Sequence, residues 1–72
     1  MEFDGTIVGL SGGCPNVTFT VGGLTIETDR STGYTKSKCS DLHRGRDVSG
    51  AGMAQPNGPI KATDLRIQKD ND

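Results

Sequence analysis

The stretch Val17-Thr18-Phe19-Thr20-Val21-Gly22-Gly23-Leu24-Thr25-Ile26-Glu27 constrains this chain more than any other part of it. Side chains in a strand repeat every two residues, so Val17, Phe19 and Val21 share one face and Thr18 and Thr20 the other. Gly22-Gly23 is a two-residue hairpin signal, because glycine accepts the positive φ angles that such a turn demands. Leu24 and Ile26 continue the inward face, and Thr25 and Glu27 point outward. Thr28 is read with the outward threonines. The segment is an antiparallel hairpin.

The rest of the chain follows the same punctuation. No window of a dozen residues carries apolar positions at helical spacing. Most of the eleven glycines fall in pairs or at turns. A first strand is expected over residues 3 to 10 (Phe3, Ile7, Val8, Leu10), with Gly5 and Gly9 permitting a strong bend. Ser11-Gly12-Gly13-Cys14-Pro15-Asn16 reads as a turn. Residues 29 to 45 are polar and turn-rich, with one helical or 3₁₀ turn expected at Ser40-Asp41-Leu42, capped by Ser40 or Asp41. A glycine-weakened strand is expected over 46 to 54, a turn over 55 to 59, and a last strand from Ile60 to Ile67. Inward parity shifts between Ala62 and Leu65, which predicts a bulge near Thr63 or Asp64. Residues 1–68 form one domain in this reading, and residues 69–72 form a fraying tail.

Five short strands, with the one long connection between the third and fourth, match the strand order of a small OB-type Greek-key barrel. An SH3-like barrel or an open meander competes with it. Closure removes exposed sheet edges, which a glycine-rich chain is otherwise ill placed to protect.

A 72-residue chain has a marginal core. Burial supplies on the order of 100 kcal/mol at ~25 cal/mol/Å², and ordering the chain costs about as much. A cross-link is the usual remedy. Cys14 and Cys39 are the only cysteines, and both sit in polar, turn-like contexts, so a disulfide is expected. It removes about 3–3.5 kcal/mol of unfolded-chain entropy and implies an oxidising compartment. Two buried free thiols in a cytosolic protein are the alternative. A net charge of −1 excludes a simple polycation for duplex DNA. No stretch is long and apolar enough for a membrane span.

Three landmarks carry a resemblance. They are Gly5-Thr6-Ile7, Val17-Thr18-Phe19-Thr20-Val21-Gly22-Gly23 with Thr25-Ile26, and a closing pattern. That pattern runs Cys39-x-Asp41-Leu42-x-x-Gly45-x-x-Val48-x-Gly50-x-Gly52, then Asn57-Gly58-Pro59-Ile60-x-Ala62-Thr63-x-Leu65-x-Ile67. Over residues 5 to 67 the chain resembles the two-cysteine subgroup of bacterial exported OB-like domains of unknown function. Gly45-Arg46 and Gly50 depart from the family pattern. The resemblance implies an OB-like barrel, export to the periplasm, envelope or medium, and a non-enzymatic role beside other domains of a longer protein. It brings no catalytic residue.

Charge is segregated along the chain. Residues 1 to 29 carry Glu2, Asp4, Glu27 and Asp29 and no base. Residues 30 to 46 carry Arg30, Lys36, Lys38, Arg44 and Arg46 against Asp41 alone. One reading makes this connection, with Tyr34, a basic lip for a glycan or anionic polymer beside the face of the second and third strands. Solvated loop charge is the other, favoured by the lack of aromatic platforms. Cys39 and His43, with Cys14 and Asp41, sketch a zinc site. Close cysteine pairs are absent, however, and a disulfide uses the same atoms. The same Cys–His pair lacks the orienting partner that nucleophilic catalysis needs. Gly50-Ala51-Gly52 opens no helix and is strand curvature rather than a phosphate loop. The expectation is a non-catalytic module without cofactor or metal.

Overall fold

The structure is a computed structural model, and it describes residues 1–56 and 58–68. The expected tail at 69–72 and Asn57 of the expected 55–59 turn lie outside the described residues.

One strand is shared by two halves of the sheet. β1 (Glu2–Gly13) pairs through residues 2–6 with β5 (Asp47–Gln55) and through residues 7–13 with β2 (Asn16–Val21). The changeover needs a sharp bend, and Gly5 supplies it. Its φ is +148°, and a Cβ there would press to 3.0 Å from Val21 Cγ1. A register break between Ile7 and Gly9 completes the turn in direction.

β2 runs antiparallel to β3 (Leu24–Glu27) across the Gly22-Gly23 turn, where both glycines have positive φ. β3 then pairs in parallel with β6 (Gly58–Ile67) at Ile26–Ile60 and Glu27–Lys61. β6 is antiparallel to β5, and β5 returns to β1. The ring closes in the order β1-β2-β3-β6-β5. A two-residue strand, β4 (Gly33–Tyr34), adds to the lower half of β6 at Asp64 and Leu65. This is an all-β, OB-like barrel of five strands with one short extra strand.

Inward side chains fill the barrel. Phe19, Ile7, Ile26, Leu65 and Val21 are each under 2% exposed, with Phe3, Val17, Val48, Ile60, Ala62 and Ile67 around them. Leu42, from the long connection, plugs the barrel as a further buried side chain. β6 crosses β5 very closely at two glycines. A Cβ on Gly52 would lie 2.5 Å from Lys61 O, and one on Gly50 would overlap Asp64 O. These glycines let two strand backbones approach where any side chain would hold them apart.

The expected strands are all present, with instructive shifts. β1 continues through Ser11, Gly12 and Gly13, which had read as a turn, so the turn shrinks to Cys14-Pro15, joined by a cis peptide bond. Pairing with Val17 and Asn16 holds Gly12 and Gly13 in the sheet. Val8 is 69% exposed, because Ile7 claims the inward position and neighbours in a strand alternate. The bulge falls on Thr63: Gly52 faces Ala62, Ala51 faces Asp64, and the Thr63 hydroxyl donates to Ala51 O. The 3₁₀ turn is Cys39–Asp41, one residue early, and its Asp41 carboxylate accepts the Lys38 N–H. β4 had no sequence signal, since two residues are too few to show alternation.

Candidate functional site

The 29–46 connection carries most of the candidate residues, and covalent and polar anchors hold it to the barrel. Cys39 in the 3₁₀ turn is bonded to Cys14 in the β1–β2 turn, with Cα atoms 6.0 Å apart. Both sulfurs are consumed in that bond, so neither is a thiolate for the cation site sketched from Cys14, Cys39, Asp41 and His43. At the start of the connection two threonines are buried. Thr28 Oγ1 accepts the Val17 N–H at 3.0 Å and donates to Pro15 O at 2.7 Å. Thr32 Oγ1 accepts the Asp29 N–H at 3.0 Å and donates to Ala62 O at 2.9 Å.

Thr28 therefore departs from expectation. Thr28 shares the parity of Leu24 and Ile26, and just beyond the end of β3 it keeps their inward direction, so grouping it with the outward threonines runs against the two-residue period. The buried hydroxyl is tolerated because it is hydrogen-bonded.

Tyr34, from β4, lays its ring against the core. Its hydroxyl is buried and meets no hydrogen-bond partner among the described residues. Burial raises its pKa above the ordinary value; the neighbouring Thr28 hydroxyl, already committed to Pro15 and Val17, offsets only part of that rise. The ring is a wedge under the connection rather than an open stacking platform.

The basic residues are distributed along this tethered segment. Arg30 is exposed in the Asp29–Thr32 turn, which the Asp29 carboxylate braces by accepting the Ser31 N–H at 2.8 Å. Lys36 is exposed just after β4, at φ +53°. Lys38 is exposed at the head of the 3₁₀ turn, beside the disulfide. Arg44 is exposed and Arg46 half-buried near the middle of β1, where Ile7 exchanges backbone hydrogen bonds with Gly45 and Arg46. Ile7 and Cys14 are seven positions apart, about 23 Å of extended strand. The bases thus line the length of the connection instead of meeting at one point.

The outward face of β2 and β3 presents Thr20 beside Thr25 and Thr18 beside Glu27. At its margin Lys61 Nζ lies 2.9 Å from Asp29 Oδ2. The hydrogen bond from Lys61 lowers the Asp29 pKa and raises its own. Gln55 Nε2 donates to Glu27 Oε1 at 2.8 Å along the same margin. Among the described residues no group of three or more His, Cys, Asp or Glu is arranged to hold a metal ion. No described helix is long and apolar enough to cross a membrane. Comparison with family models, with curated proteins and with solved structures finds no match to this chain.

Proposed function

We propose that this chain is a non-catalytic structural and interaction module of an exported or cell-envelope bacterial protein, allied to the OB-like domains that its motifs resemble. The observation that carries this reading is the reduction of its loops. OB-type barrels grip ligands with the second and third strands and with the loops that follow the first and fourth barrel strands. Here the first is Cys14-Pro15, bolted by the disulfide, and the second spans only the interval between the end of β5 at Gln55 and the start of β6 at Gly58. Loops this short have little reach around a polymer. The Cys14–Cys39 bond supports an oxidising compartment.

A second reading keeps the module as a binder of a glycan or anionic polymer. It is favoured by the exposure of Arg30, Lys36 and Arg44, none of which forms an ion pair among the described residues. Titration with single-stranded nucleic acid and with an anionic polysaccharide at ~150 mM salt, where screening acts within ~8 Å, separates the two. The expected result is no saturation with either polymer. Micromolar saturable binding that Lys36→Ala plus Arg44→Ala abolishes would replace the first reading with the second.

A further inference from the structure

Charge is segregated on the folded surface as well as along the chain. β1, β5 and β6 lie side by side, and their register arranges outward residues in rows. Glu2 faces Ala51, and Ala51 faces Asp64. Asp4 faces Ser49, and Ser49 faces Arg66. Thr6 faces Asp47 and donates its hydroxyl to that carboxylate at 2.7 Å. The middle strand contributes the small Ser49 and Ala51 between longer neighbours, so the face is a shallow trough along β5. Two hollows of about 450 and 530 Å³ lie in it and share Asp4 and Ser49.

The trough sets four carboxylates (Glu2, Asp4, Asp47, Asp64) against the Arg66 guanidinium, a formal charge of −3. Glu2 and Asp4 form no ion pair among the described residues. The 30–46 connection carries a formal +4, and its exposed Arg30, Lys36 and Arg44 are likewise without an ion pair there. The two surfaces are similar in magnitude and opposite in sign.

We propose that the β1–β5–β6 trough docks a second copy of this chain, which presents its 30–46 connection. This rests on the reading of the chain as an interaction module and names its partner. Charge complementarity selects the occupant, because the extended basic segment that matches the elongated acidic trough belongs to the chain itself. The connection is already fixed by the disulfide and by Thr28 and Thr32, so presenting its bases costs little further ordering. Trough and connection are contiguous at Arg46-Asp47, and in a two-fold pair the same contact would be made twice. The contact is largely solvated and therefore weak and salt-sensitive.

Sedimentation equilibrium of the oxidised protein tests the pairing. At ~20 mM salt the mass should exceed that of a monomer, and association should weaken at least about tenfold by ~500 mM as the Debye length contracts. Glu2→Lys with Asp4→Lys takes the trough from a formal −3 to +1, and Arg30→Glu with Lys36→Glu and Arg44→Glu takes the connection from +4 to −2. Each substituted protein should be monomeric alone, and an equimolar mixture should associate, since both contacts become attractive again. All five positions are exposed, and retained amide dispersion in the NMR spectrum confirms folding. Should one variant unfold, Lys38→Glu replaces Arg44→Glu and Asp64→Lys replaces Asp4→Lys. A monomer at millimolar concentration and low salt, or a mixture that stays monomeric, overturns the pairing. Monomer without polymer binding removes the self-docking alone, whereas saturable polyanion binding removes the module reading itself.

Discussion

Tyr34 is a phenol held where its proton is hard to lose. Burial raises its pKa above the ordinary value near 10, so the folded chain binds that proton more tightly than the unfolded one. The stability this contributes is whole below pH ~10 and is lost as pH rises through the raised folded value. Tyr34 is the only tyrosine, so phenolate absorbance reads its titration directly. Because its hydroxyl has no partner among the described residues, Tyr34→Phe should leave stability at pH 7 unchanged or raise it by up to ~1 kcal/mol, and should flatten the alkaline loss. A loss above ~1 kcal/mol in urea denaturation would show instead that the hydroxyl is paired. Thr28 behaves in the opposite way. Thr28→Val strands the buried Val17 N–H and should cost about 1–3 kcal/mol. Thr25→Val, on the exposed outer face, should stay within ~0.5 kcal/mol. Gly52→Ala drives a methyl into Lys61 O and should cost at least about 1–3 kcal/mol, read as a lower denaturation midpoint at constant slope.

The long connection is the element that most needs help, since one short 3₁₀ turn and a two-residue strand are its only regular structure. The disulfide closes a loop with a sequence separation of 25, which corresponds to about 3.5 kcal/mol of unfolded-chain entropy in the loop-closure account. Reduction should therefore lower stability by roughly 2–4 kcal/mol, enough to threaten a domain of this size. Thiol titration of the denatured, unreduced protein should find no reactive group; two per chain would remove both the cross-link and the argument for export. The Asp29–Lys61 pair adds a small acid dependence. Its Asp29 carboxyl titrates below the ordinary range, so its contribution is present above the unfolded carboxylate pKa and is lost as pH falls through the depressed value. Both partners are substantially solvated, so the effect is slight.

At the scale of the whole molecule the barrel is closed by the parallel β3–β6 contact, which joins strands far apart in sequence. Closure leaves the two charged surfaces, trough and connection, as its most distinctive exterior features. The polymer titration and the salt-dependent mass measurement read those surfaces separately, because they use different ligands. A basic lip that captured polyanions would show a steep loss of affinity with salt, of a few units on a log–log plot. Self-docking would show salt-sensitive mass without any added polymer.

Local patterning determined what depends on neighbours a few residues apart. Val17 to Glu27 dictates a hairpin, because a two-residue period and a Gly-Gly turn need no distant partner. The parity slip between Ala62 and Leu65 likewise announces the Thr63 bulge, and the contexts of Cys14 and Cys39 announce the bond between them. The charge of the 30–46 connection is also visible in the sequence, although where its bases point is not. Tertiary structure alone decided the rest. β1 outgrows its expected end because β2 pairs with Ser11, Gly12 and Gly13. The hydroxyl of Thr28, inward by parity with Leu24 and Ile26, is tolerated there because it satisfies the Val17 amide. β4 exists only because β6 offers it an edge. The acidic trough is invisible in the chain, since Glu2, Asp4, Asp47 and Asp64 come from three strands. Only the register of β1 and β6 on β5 sets them on one face, and register is a property of pairs, not of any single segment.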